Sequence, residues 1–117
     1  MSTAPITAVA VETEILRLNG VLDQATEDVA RLGEARAHAK MDALLAHARA
    51  VATSAGRSSD VREAEALVAS EPLQRRYEVA DASLRAMKEA AHNCRAQLDA
   101  LRSVNANVRH MSSGPGF

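Results

Sequence analysis

The sequence predicts an all-α protein: a long antiparallel helical hairpin, similar to a coiled coil, whose second arm is kinked or broken at a proline. Hydrophobic residues make up 47% of the 117 residues but aromatic residues only 2%, which argues against a β-sandwich or barrel. Only 5 Gly and 3 Pro are present, too few for a loop-rich fold. Apolar residues also recur at alternating spacings of four and three, which is typical of one face of a coiled-coil helix.

The first long helix is predicted over residues 7–53, after a flexible N-terminus at residues 1–6. Its apolar spacing slips by about one position at Gly33, where a glycine favours a local unwinding or bend. The seam before the slip consists of Ile15, Leu18, Leu22, Ala25, Val29 and Leu32. The seam after it is predicted to consist of Ala37, Met41, Leu44, Ala48 and Val51.

The second arm is predicted over residues 60–111, after a loop at residues 54–59. Asp60 and Glu63 have the spacing of a capping box, which predicts a short helix over 60–69. Pro72 interrupts that helix, and Ser70 is placed to cap a restart over 71–111. Two interpretations stay open, a single helix kinked at Pro72 and a separate short helix. Residues 112–117 are expected to form a flexible tail.

The last helix carries the most regular seam of the chain. Its members alternate steps of four and three: Leu73, Tyr77, Ala80, Leu84, Met87, Ala91, Cys94, Leu98, Leu101, Asn105 and Val108. We interpret Asn105 as the polar seam residue that fixes register, with contact to a partner as the alternative. Cys94 is expected to be a small buried hydrophobe.

Apolar residues outside the seams predict self-association. They widen the hydrophobic face beyond what two helices need, and they include Val9, Val21, Leu45, Val68 and Val104. A homodimeric four-helix bundle is the simplest closed arrangement, although Ala-rich seams also permit higher oligomers.

A row of basic residues follows the seam of the last helix at every seventh position, and we call it the basic row. Such a row is predicted to contact a protein partner or to track the phosphates of a nucleic acid. The alternative is ion pairing across the hairpin with the acidic residues of positions 1–30. The row consists of Lys88, Arg95, Arg102 and Arg109, and the acids are Glu12, Glu14, Asp23, Glu27 and Asp28.

The sequence indicates no enzyme, no metal site and no cofactor. No nucleotide-binding, hydrolase or metalloprotease motif occurs in it. No His pairs with another His or Cys at helical ligand spacing; the four are His38, His47, His92 and His110.

Composition favours a cytoplasmic protein without a membrane partner. The net charge is −1, no apolar run approaches the length of a membrane span, and one Cys fits a reducing compartment. The first residues also lack the basic and apolar regions of a signal peptide.

Residues 77–81, Tyr-Glu-Val-Ala-Asp, fit the Y-x-x-x-[DE] signal of the helical-hairpin substrates of type VII secretion. The segment begins the last helix instead of following the hairpin, and the W-x-G turn of well-known members is missing. Export by that route is therefore one alternative function.

The last helix also resembles the C-terminal helix of small helical accessory proteins of actinobacterial phages. The resemblance rests on residues 77–81, on 98–103 (Leu-Asp-Ala-Leu-Arg-Ser) and on 105–109 (Asn-Ala-Asn-Val-Arg). It covers about a third of the chain. The resemblance implies a phage origin, and with it the host cytoplasm as the compartment. Genes of that family often lie near replication and recombination genes.

The leading functional hypothesis is a non-enzymatic phage-type accessory protein that acts by protein–protein contact with a phage or host protein. One alternative is an accessory of DNA recombination or replication that binds single-stranded DNA along the basic row. Another is a structural subunit of the virion.

Overall fold

The chain is an all-α helical hairpin, as the sequence predicts. The computed structural model describes residues 7–113, and the side chains of residues 7–111. Helix α1 spans Ala8–Thr53 and helix α2 spans Ser59–Ser113, with no strand between residues 7 and 113. The sequence predicts flexible ends at residues 1–6 and 112–117. Residues 1–6 and 114–117 lie outside the described residues, and 112 and 113 belong to α2.

Each helix begins at a hydroxyl side chain that accepts a hydrogen bond from a free backbone amide. Thr7 Oγ1 accepts from the Ala10 amide at 3.1 Å, and Ser58 Oγ accepts from the Val61 amide at 3.1 Å. The capping box predicted from Asp60 is therefore wrong, because Ser58 is the cap. Asp60 instead lies in the first turn, where the helix dipole favours a carboxylate.

Helix α2 continues through Pro72 without a break, so the interpretation as a separate short helix is wrong. Ser70 does not cap a restart either. It is fully buried, and its hydroxyl donates to the Ala66 carbonyl at 2.8 Å within the same helix. Ala66 and Ser70, in the two turns before Pro72, are buried, so this part of α2 is packed even though the proline cannot donate a backbone hydrogen bond.

The hairpin contains two compact units. The terminal unit comprises the described residues of Met1–Glu27 and Lys88–Phe117, and the loop unit comprises Asp28–Met87. In the terminal unit the core is built on three buried residues, Leu18, Cys94 and Leu98. The Cys94 thiol donates to the Leu18 carbonyl at 3.4 Å, which ties α2 to α1 at the centre of that core.

The core of the terminal unit is large and apolar, whereas the core of the loop unit is made mostly of small residues. Ile15, Leu22 and Leu101 pack against the three central residues of the terminal unit. The buried residues of the loop unit are Ala43, Ala66, Ser70 and Leu84. Small side chains allow two helix backbones to approach closely.

The predicted slip of the α1 seam at Gly33 is wrong, because the spacing of the inward residues does not change there. Gly33 lies inside an unbroken helix, and the inward positions continue the spacing of Leu32. Their members are Arg36, Ala39, Ala43, Ala46 and Ala50, all buried or half-buried. Four residues of the predicted second seam are exposed instead: Ala37, Met41, Leu44 and Ala48. An unbroken helix keeps its hydrogen bonds, and small inward side chains let it pack closely without a change of phase.

Candidate functional site

The basic row divides into two paired and two unpaired cations. Arg109 Nη2 lies 2.5 Å from Glu12 Oε1 on α1, and Arg102 Nη1 lies 3.4 Å from Asp99 Oδ1 on its own helix. Lys88 and Arg95 are exposed and form no ion pair or hydrogen bond with any residue that the structure describes. The row therefore offers two uncommitted cations instead of four.

The acidic residues of α1 are paired partly across the hairpin and partly along their own helix. Only Glu12 pairs with the basic row within the described part of the chain. Glu14 binds Arg17 one turn away, and this hydrogen bond lowers the pKa of the Glu14 carboxyl below its ordinary value of 4.5. Asp28 is 3.5 Å from Arg31. Cross-hairpin pairing thus accounts for Arg109 but not for the whole row.

The structure places the predicted seam residues of α2 at buried or half-buried positions in both units. In the loop unit Leu84 is buried and Leu73, Tyr77 and Met87 are half-buried. In the terminal unit Cys94 and Leu98 are buried, and Leu101, Asn105 and Val108 are half-buried. Asn105 Oδ1 is buried and accepts no hydrogen bond from any residue that the structure describes, so this side chain carries a cost that an apolar residue would avoid.

A polar cluster around Arg36 lies within the seam of the loop unit. Arg36 Nε donates to Asp81 Oδ1 at 2.5 Å, and Arg36 Nη2 donates to the Tyr77 hydroxyl at 3.0 Å. The hydrogen bond to Asp81 raises the pKa of the Arg36 guanidinium above its ordinary value. Asp81 is also 2.9 Å from Arg85. The two defining residues of the Y-x-x-x-D segment thus hold the two helices together.

Sequence reasoning missed Arg36, because the assumed slip moved the seam away from it. The signal was available: Arg36 follows Leu32 by four positions, so an unbroken alternation of four and three places it on the seam.

Two exposed apolar faces are the other distinctive feature of the loop unit. The α1 apolar face consists of Ala37, Met41, Leu44, Leu45 and Ala48, and its three large side chains are exposed by 55%, 53% and 44% in chain order. The α2 apolar face consists of Val61, Ala64, Leu67 and Val68, and Val68 is 76% exposed.

The described residues contain no cluster of three His, Cys, Asp or Glu side chains that could hold a metal ion. His47 Nε2 lies 2.9 Å from Glu63 Oε2, which joins α1 to α2 near the loop. Within the part of the chain that the structure describes, no helix is long and apolar enough to cross a membrane.

Comparisons with known proteins identify no relative of this chain. No family model matches the chain, and neither the curated proteins nor the solved structures contain a match.

Proposed function

We propose that this protein is a non-enzymatic accessory protein that acts by protein–protein contact, through a self-associating helical hairpin that presents helix faces to a partner. One observation carries the proposal. The loop unit keeps small residues in its core and exposes larger apolar residues on both helices, including Leu44 and Leu45 on α1 and Leu67 and Val68 on α2. Contiguous exposed apolar faces mark interaction sites, whereas scattered apolar residues do not.

Helix geometry supports a protein as the partner. Residues 37–48 of α1 present their apolar side chains on one side, at the spacing that packs into the groove of another helix. The resemblance of the last helix to actinobacterial phage proteins supports a search for the partner among the proteins of a phage and its host cell.

The test is capture of partners by the tagged full chain from infected and uninfected host lysate after nuclease treatment. The bait is compared with Val68→Glu, which places a charge on the α2 apolar face. The matched control is Val9→Glu, because Val9 is also a highly exposed valine, at 73%, but lies in the terminal unit. We expect a partner that survives nuclease, is lost with Val68→Glu and is retained with Val9→Glu. Capture that both substitutions leave unchanged contradicts a role for this face.

Binding of single-stranded DNA is the second candidate, and the unpaired cations Lys88 and Arg95 favour it. This candidate predicts an affinity that falls as salt rises, with a slope reduced by about one phosphate for each cation removed. Substituting both residues with Gln and measuring binding to a labelled oligonucleotide over a salt series tests it. An absence of binding at low salt eliminates it. Recovery of the chain from purified phage particles at a fixed stoichiometry would instead support a virion subunit.

A further inference from the structure

The α1 apolar face is flanked by two unpaired charges of opposite sign. Asp42 and Arg49 are seven positions apart, so they lie on the same flank of α1, beside Leu45. Both are exposed, and neither side chain forms an ion pair or hydrogen bond with any residue that the structure describes. Within the described residues, the hairpin makes no use of these two charges.

We propose that a second copy of this chain covers the α1 apolar face, with the two α1 helices antiparallel across a two-fold axis beside Leu45. In that arrangement Asp42 of each copy meets Arg49 of the other, which gives two equivalent ion pairs. A two-fold axis brings the same flank of both helices together, so a flank that carries one acid and one base complements itself. This inference deepens the proposed function, on which it rests, by naming the face and geometry of self-association.

The apolar side chains fit the same register. Around an axis beside Leu45, the leucines at positions 44 and 45 of both copies meet at the centre. Met41 of one copy then lies opposite Ala48 of the other, which pairs a large side chain with a small one. The three large side chains, which are about half exposed in the single chain, become the centre of the interface.

The opposite flank of the face is compatible with this pairing. It carries Lys40, which is exposed, and His47, which is bound to Glu63. In the antiparallel arrangement Lys40 of one copy approaches the His47–Glu63 pair of the other, where a carboxylate is present. A parallel arrangement would instead place Asp42 and Arg49 against the opposite flank of the partner helix, so these two charges would not meet each other.

Charge reversal tests the register directly, with the dimer dissociation constant of the full chain measured by sedimentation velocity. Asp42→Arg and Arg49→Asp each replace two ion pairs with two like-charge contacts, and each is expected to raise that constant by about tenfold. The double variant Asp42→Arg/Arg49→Asp restores both pairs and should return it to the wild-type value. A mixture of the two single variants should form a heterodimer, because one copy then presents two bases and the other two acids.

A substitution on the α1 apolar face distinguishes loss of the dimer from loss of folding. Leu45→Glu is expected to give monomers with unchanged helix content by circular dichroism, and Leu16→Glu is the control, since Leu16 is 72% exposed in the terminal unit. Dimers that persist with Leu45→Glu and ignore the charge reversals overturn the proposed face. A monomeric wild-type chain overturns the dimer and the self-association in the proposed function, while capture of a partner that is lost with Val68→Glu would still support contact with another protein.

Discussion

The Arg36 guanidinium lies 5.3 Å from the centroid of the Tyr77 ring and donates a hydrogen bond to the Tyr77 hydroxyl. This contact joins α1 to α2 at a position where a coiled coil ordinarily carries an apolar residue. A polar residue at such a position fixes the register of the two helices. Arg36 on α1 and Tyr77 on α2 are therefore expected to set the alignment of the two helices within the loop unit.

The Arg36–Tyr77 contact should appear as coupling in a double-mutant cycle. Tyr77→Phe removes only the hydroxyl that accepts from Arg36, and it should lower the free energy of unfolding by about 1 kcal/mol. In the background of Arg36→Met the same change should have little effect, because the donor is absent. Urea denaturation followed by circular dichroism measures all four proteins. Equal losses in both backgrounds would show that the hydroxyl acts independently of Arg36.

Leu98 should be the most costly single truncation in the terminal unit. It is 1% exposed and packs with Leu18 and Cys94. Leu98→Ala is expected to lower the free energy of unfolding by about 2–5 kcal/mol, through lost burial and the cavity that remains. Leu16→Ala is the matched control, because that leucine is 72% exposed and its truncation should change stability by about 0.5 kcal/mol or less. Similar losses for both would contradict the described core.

Pro72 should reduce the stability of the protein, even though α2 continues through it. It is exposed and lies inside α2, where it removes one backbone hydrogen bond. Pro72→Ala is expected to raise the free energy of unfolding by about 1–3 kcal/mol. A smaller opposing effect comes from the unfolded state, because alanine gives the unfolded chain more conformational entropy than proline does. Thermal denaturation measures the change. A lower melting temperature for Pro72→Ala would indicate that the proline shapes α2 in a way that the fold requires.

Asn105 should be a site where an apolar residue stabilises the monomer. Its Oδ1 atom is buried and has no donor among residues 7–111, and leaving such an atom unsatisfied costs about 1–3 kcal/mol. Asn105→Leu is therefore expected to raise the melting temperature while reducing the uniqueness of helix alignment. Chemical denaturation and the dispersion of amide NMR signals report the two effects. A less stable Asn105→Leu variant would mean that the amide has a partner in solution.

The sequence predicted the two helices, the loop between them and the seam of α2, because long runs of alternating spacing have no good alternative structure. It failed at two places and left a third open. Gly33 suggested a change of phase that the unbroken helix does not make. Pro72 left a kinked helix and a separate short helix as alternatives, and α2 continues through it. Asp60 resembled a cap, but a nearby serine, Ser58, supplies the hydroxyl.

The candidate surfaces were less predictable than the fold. The basic row was visible from its spacing, but the ion pairs of Arg102 and Arg109 depend on the positions of Asp99 and Glu12 in space. The α1 apolar face was mistaken for a seam, since Met41 and Leu44 are larger than the alanines that pack inward. The larger side chains of Met41 and Leu44 made the outward side of α1 look like its buried side. The structure shows that small residues such as Ala43 and Ala46 face α2 instead.

Disulfide trapping shows whether the outward face of α1 binds a second copy of the chain. The native thiol is first removed with Cys94→Ala, and Leu45→Cys is then introduced and oxidised under mild conditions. Because the proposed axis lies beside Leu45, the two thiols should be close enough to bond, and a covalent dimer should form in high yield. Leu16→Cys in the same background should stay monomeric. A Leu45→Cys variant that forms no more covalent dimer than Leu16→Cys would contradict the account.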